Sequence, residues 1–361
     1  MLESLLDRAA GLATGTTGLV IGIFADDRTT FYAVGAPQPD EHTLYEIGSI
    51  TKVFTSLLLA DMVVRGEVQL EQPAADLLPH ARSLPASITL LSLATHTSGL
   101  PRLPGNFWAG GRIDHAAPYA TYLESDLWAY LATVTPDELA DTAGRIQYSN
   151  LGMGVLGAAL ASRLDLTYED AVQMRVCQPL GLTATTTHLS AEDAPKLAAA
   201  HDGKGSPTKN AAMLSLAGAG ALLSNASEIL AFLRAHLAPD DWLRARTDLT
   251  LRTHAADFAP PRPIFRLFAL YQKLVVRHPL RRPKPTGIGL GWFSVRLLKS
   301  RAHAWTHNGG TTGYKSFAGF VPESNIAVVV LRNRGVRLSE IAVPRYGVDD
   351  LGFELLDVLA D

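Results

Sequence analysis

Three short stretches of this sequence carry side chains whose types and spacing suit acyl chemistry. The first is Gly48-Ser49-Ile50-Thr51-Lys52. A serine at the first turn of a helix with a lysine three residues later puts both side chains on one face, a turn apart. A serine hydroxyl is a weak nucleophile until something accepts its proton. Lysine does so only when neutral, which requires its pKa to fall from about 10.4. Burial and the positive end of a helix both push it down. The same pair has a plainer reading, an N-cap followed by a solvated helix residue. A second copy, Ser206-Pro207-Thr208-Lys209, lies in a Gly/Pro-rich stretch with no apolar helix behind it and is set aside.

The second stretch is Tyr148-Ser149-Asn150, ahead of a Gly-rich helical start at 151–154. A tyrosine hydroxyl beside a lysine can relay protons, and an asparagine amide can hold a carbonyl. The alternative is a core tyrosine next to a helix cap. The third is His307-Asn308-Gly309-Gly310-Thr311-Thr312-Gly313, between two predicted strands. Glycines there let a ligand lie against a strand edge and leave N–H groups free, as an oxyanion hole requires. The alternative is a hairpin-like turn with a surface histidine, and His201-Asp202-Gly203 offers the same short pattern in a loop.

The elements that must position these groups follow from patterning. An amphipathic helix is expected over 3–12, and β-rich runs at 18–24 and 29–34 flank a hairpin signal at 25–28. A helix is expected over 49–65, with Val53, Phe54, Leu57, Leu58 and Met62 on one broad face and Gly66 as its stop. The middle, about 70 to 257, reads as mostly helical, with segments at 123–133, 152–163, 169–176 and 228–237. Strands return at 291–298, 303–306, 316–321 and 326–331, with a turn at 322–325 and a last helix over 349–359. Strands at both ends and helices between predict an α/β (α+β) fold: one antiparallel sheet built from both termini, flanked by helices, with an inserted, mostly helical domain. The expected division is 1–70 with 286–361 for the sheet domain and 71–285 for the helical one.

The order of the three motifs, and their surroundings, resemble the class C β-lactamases and penicillin-binding-protein-like serine hydrolases. The likeness extends to the segment 93–100 (LATHTSGL), to Pro179-Leu180-Gly181-Leu182, to Gly218-Ala219-Gly220 with Leu223-Ser224, and to Gly289-Leu290-Gly291-Trp292, so it spans about residues 17 to 335. The resemblance implies a β-lactamase/transpeptidase-like fold. It also implies Ser49 as acylated nucleophile, Lys52 as its proton acceptor, Tyr148 as general acid/base and Asn150 as a substrate-orienting amide. The N–H groups of Ser49 and Gly310 would form the oxyanion hole, with His307 and Gly309 lining the substrate site. The implied reaction is hydrolysis of an ester, an amide or D-amino peptide, or a β-lactam through an acyl-enzyme. A class C-type β-lactamase or D-alanyl-D-alanine carboxypeptidase is the alternative, and a non-catalytic binding protein the rival of another class. One departure stands out: the class C enzymes carry Lys-Thr-Gly where this chain has His307-Asn308-Gly309. A histidine with pKa near 6.5 is mostly neutral at pH 7, so it is no permanent cation for a substrate carboxylate.

Composition narrows the rest. The chain has 361 residues, 47% hydrophobic and 19% charged, with net charge −3. That disfavours a generally basic nucleic-acid binder and an acidic disordered chain, leaving a small-molecule acyl substrate as the expected partner. The single cysteine, Cys177, rules out an internal disulfide or a cysteine-built zinc site. No Gly-x-Ser-x-Gly elbow surrounds Ser49, and the histidines lack a metal-binding spacing, so neither a metal nor another cofactor is expected. No stretch is long and apolar enough to span a membrane, and the start lacks a secretory pattern, so a cytoplasmic location is expected. Between Phe258 and Pro322 there are eleven Lys and Arg and no Asp or Glu. The Pro-bracketed part of that run, 260–285, reads as an insertion or flap, with membrane contact as its other reading.

Overall fold

The computed structural model describes residues 2–109, 114, 116–139, 141–260, 282–335 and 346–361. The basic segment expected over 260–285 lies, except at its two ends, outside them. Helix α1 (Leu2–Ala10) leads into strands β1 (Leu19–Ala25) and β2 (Arg28–Val34). Asp26 and Asp27 join the strands with φ of 51° and 56°, the left-handed pair that a two-residue hairpin of this twist requires. Strands β3 (Tyr45–Glu46) and β4 (Leu223–Ser224) form a separate small ladder. The helices that follow β3 are α2 (Thr51–Val64), α3 (Leu90–Ala94), α4 (Glu124–Leu131), α5 (Pro136–Leu139), α6 (Asn150–Leu164), α7 (Tyr168–Val172), α8 (Ala217–Gly220), α9 (Ala226–Leu237) and α10 (Asp241–Leu251). Strands β5 (Pro285–Ile288), β6 (Phe293–Arg296), β7 (His303–Gly310), β8 (Lys315–Val321) and β9 (Ile326–Arg332) and helix α11 (Val348–Leu359) complete the described chain.

Seven strands make one antiparallel sheet in the order β2-β1-β9-β8-β7-β6-β5, so the two ends of the sequence meet at the β1–β9 pairing. Alternation along the strands sorts side chains to its two faces. Leu19, Ile21, Val328 and Val330 pack under α1 and α11, while Val20, Phe24, Val329 and Leu331 join the larger core with α2 and α9. An antiparallel sheet flanked by helices is therefore the architecture the pattern predicted.

Three local expectations change. Helix α2 is buried all round rather than on one face, because α6, α7, α8 and α10 pack around it and Phe232 of α9 stacks on its Phe54. Thr55 and Asp61 survive there by being paired, Thr55 Oγ1 with Tyr168 and the Gly218 carbonyl, and Asp61 with three arginines. The middle of the chain is less helical than expected, since 178–216 is mostly irregular backbone held by isolated bridges. Finally, strand β7 runs past the expected 303–306 to Gly310, so His307 to Gly310 form its end: Asn308 pairs with Phe317 and Gly310 with Lys315. Strand β5 and helix α10 were not anticipated, the first for its Pro and Gly content and the second for its many polar residues.

Candidate active site

Ser49 lies in the 3₁₀ turn Gly48–Ile50 that opens α2, and Lys52 follows one turn on. Gly48 adopts φ of 51°, and a Cβ there would stand 2.7 Å from Gly310 N, so the end of β7 rests directly on the serine turn. The approach is fixed from below as well. Ser316 Oγ donates to the Ile47 carbonyl at 2.7 Å, and a Cβ on Gly309 would fall 2.0 Å from that same oxygen. Gly309, expected to line the substrate site, thus presses on the backbone before Ser49. The motif glycines let a strand and a helix start share one backbone contact.

Lys52 is fully buried, and its ammonium nitrogen has three neighbours: Asn150 Oδ1 at 3.0 Å, the Ala219 carbonyl at 2.6 Å and Ser49 Oγ at 2.8 Å. The first two oxygens only accept. A neutral amine spends its two protons on them, and its lone pair then points at the serine hydroxyl. Burial, and secondarily the positive charge of Arg102, hold the Lys52 pKa well below its ordinary value. Among the described residues no carboxylate pairs with it.

Tyr148 belongs to an irregular stretch ahead of α6, and the Ser49 side chain lies near enough to its hydroxyl to pull against the effect of burial on its pKa. The Lys52 nitrogen and the Arg102 guanidinium lie 4.9 and 5.1 Å from its ring centre. Burial raises its pKa, so the phenol keeps its proton. Ser149, next in sequence, caps α6 by accepting from Gly152 N at 2.8 Å, which brings Asn150 to the first helical position. Asn150 is the hinge of the cluster, accepting from Lys52 and donating through Nδ2 to Tyr119 Oη at 3.0 Å.

His307 is buried, donates from Nδ1 to the Asn308 carbonyl at 2.7 Å, and has its pKa pushed down to about 3 by burial and by Lys52. Its ring lies 6.2 Å from that of Tyr148, and its Nε2 has no partner. It is an uncharged wall of the site. The six residues expected from sequence around Ser49 therefore come together. His201, the decoy, is buried elsewhere against Thr16 and Asn333. Sequence reasoning did not single out His96, Arg102, Tyr119 or the Ala219 carbonyl. Two of these, His96 and Ala219, sit inside segments that carried the family likeness.

The β-lactamase family model matches residues 6–351. The chain is 26% identical over 358 residues to the D-alanyl-D-alanine-carboxypeptidase/endopeptidase AmpH of Escherichia coli K12, covering 95% of this chain and 86% of that protein. It is 24% identical to a β-lactamase of Providencia stuartii, covering 91% and 85%. A solved class C β-lactamase from Rhodobacter sphaeroides superposes with TM-score 0.69 at 26% identity, covering 98% of each chain. A β-lactamase/D-alanine carboxypeptidase from Yersinia pestis superposes with TM-score 0.74 at 21% identity, covering 99% and 97%. The class that fold and site define is thus an acyl-transferring serine hydrolase. The chain belongs to the β-lactamase family of serine hydrolases.

Proposed function

We propose that the protein hydrolyses an ester, amide or lactam carbonyl by forming an acyl-enzyme on Ser49. In acylation the Ser49 oxygen bonds to the carbonyl carbon and its proton passes to the neutral Lys52 amine. As the carbon–leaving-group bond breaks, the Tyr148 phenol gives its proton to the departing atom and recovers one from Lys52. Water then attacks the ester, losing its proton to the same pair, and the Ser49 oxygen leaves with a proton regained. The backbone N–H groups of Ser49 and Gly310 are assigned to the oxyanion, and Asn150 and His307 to the walls that orient the substrate.

The single observation that carries this reading is the Lys52 nitrogen, buried, with both donor directions occupied and its third side facing Ser49 Oγ. The names of the relatives make peptides ending in D-alanine and β-lactams reasonable members of a test panel beside simple esters. The test is intact mass after mixing with a p-nitrophenyl ester, nitrocefin or D-alanine amide. One acyl adduct is expected on the wild type and none on Ser49→Ala. Absence of adduct and turnover in the wild type, or unchanged turnover in Ser49→Ala, overturns the reading.

A further inference from the structure

Tyr148 stands on backbone that belongs to no helix or strand, yet the proposed chemistry needs its hydroxyl held towards Ser49. What fixes it is the chain on either side. The Gln147 amide donates to the His96 carbonyl at 2.8 Å, and the Ser149 amide donates to His96 Nδ1 at 3.3 Å. One histidine therefore takes the amide protons before and after the tyrosine. Its ring also lies 4.5 Å from the Tyr148 ring, tilted by 46°, with Phe293 behind.

The acceptor role has a chemical condition. Nδ1 must be a lone pair, so the proton sits on Nε2, which is buried and has no partner. His96 is 1% exposed, and the charged or titratable groups that face it are Lys52, His307 and Arg102. Burial, first of all, disfavours a charge on the ring, so the imidazole stays neutral and the acceptor is permanent. His96 also holds a left-handed φ of 58°, rare for a side chain of this size. Turning the backbone there points both its carbonyl and its ring at the same stretch.

We propose that His96 is a positioning residue for Tyr148, acting through the two flanking amides and not through contact with substrate. The inference rests on Tyr148 being the proton donor.

The experiment measures kcat and KM for a p-nitrophenyl ester in His96→Asn and His96→Phe, normalised to active sites by the acylation burst. Asparagine tolerates the left-handed backbone and carries an acceptor oxygen where Nδ1 stood. It should keep kcat within about threefold, since displacement of a reacting group is what costs rate. Phenylalanine keeps the ring but not the acceptor, and should lower kcat by roughly 10- to 100-fold with KM nearly unchanged. In a Tyr148→Phe background, His96→Phe should add no further loss. The inference is overturned by wild-type kcat in His96→Phe, by a loss above about tenfold in a folded His96→Asn, or by losses confined to KM. Wild-type turnover in Tyr148→Phe would instead remove the mechanism itself, whereas an inactive Tyr148→Phe with unaffected His96 variants removes only this inference.

Discussion

Lys52 and Tyr148 carry opposite shifts from one cause. Burial disfavours charge, so it lowers the amine and raises the phenol, leaving a neutral base beside a protonated acid without any third residue. The sign of the pH dependence follows. The active form has Lys52 unprotonated, so kcat/KM falls as pH drops through the lowered lysine pKa and recovers above it. Lys52→Arg restores a cation that cannot be neutral, and it should reduce kcat/KM about 10²- to 10⁴-fold in steady-state ester assays. Histidine should leave no trace in the same profile. His307, with pKa down at about 3, and His96, also held well below its ordinary value, stay uncharged across the neutral range. His307→Asn is expected to change rate without introducing or removing a limb between about pH 5 and 8. A lost limb near 6.5 in that variant would contradict it.

At the scale of elements, the site is a junction of one helix start, one strand end and one irregular stretch. The strand end is the least forgiving. A Cβ on Gly309 would lie 2.0 Å from the Ile47 carbonyl and 2.2 Å from Ser316 Oγ, both fixed by their mutual hydrogen bond. A Cβ on Gly310 meets the flexible Lys315 side chain at 3.2 Å and the Tyr314 carbonyl at an ordinary contact distance of 3.9 Å. Gly309→Ala should therefore cost about 1–3 kcal/mol of stability, with a loss of activity beyond what unfolding explains. Gly310→Ala should leave the midpoint of thermal unfolding close to wild type. Equal melting temperatures for the two variants would refute the packing argument.

For the whole molecule, the question is what keeps the helix bearing Ser49 and Lys52 in place while it is enclosed on every side. Apolar contacts supply area but little direction. Asp61, two and a half turns beyond Lys52 and fully buried, supplies direction: Arg246 of α10 reaches it at 2.7 Å, Arg175 at 3.3 Å and Arg65, at the end of its own helix, at 2.9 Å. Removing the carboxylate strands a buried guanidinium, since Arg246 is itself 6% exposed. Asp61→Asn should lower stability by about 3–5 kcal/mol in urea titration. If the folded fraction also loses kcat, the network is transmitting alignment to the site as well as holding the core.

The sequence by itself determined the chemistry and its order along the chain. Ser49, Lys52, Tyr148, Asn150 and the His307–Gly310 stretch each have a plainer reading alone, and were legible through their order along the chain and the flanking segments that resemble the family. The sheet of both termini was legible because strands alternate with period two and end in turn residues. Tertiary structure decided what no window could. It made α2 an interior helix, since that depends on neighbours distant in sequence. It carried strand β7 past 306 to Gly310, because a ladder with β8 outweighs the turn preference of its glycines. It also brought His96, Tyr119 and the Ala219 carbonyl to the cluster. Their part there is to complete hydrogen bonds that burial leaves unmet, and burial exists only once the chain has folded.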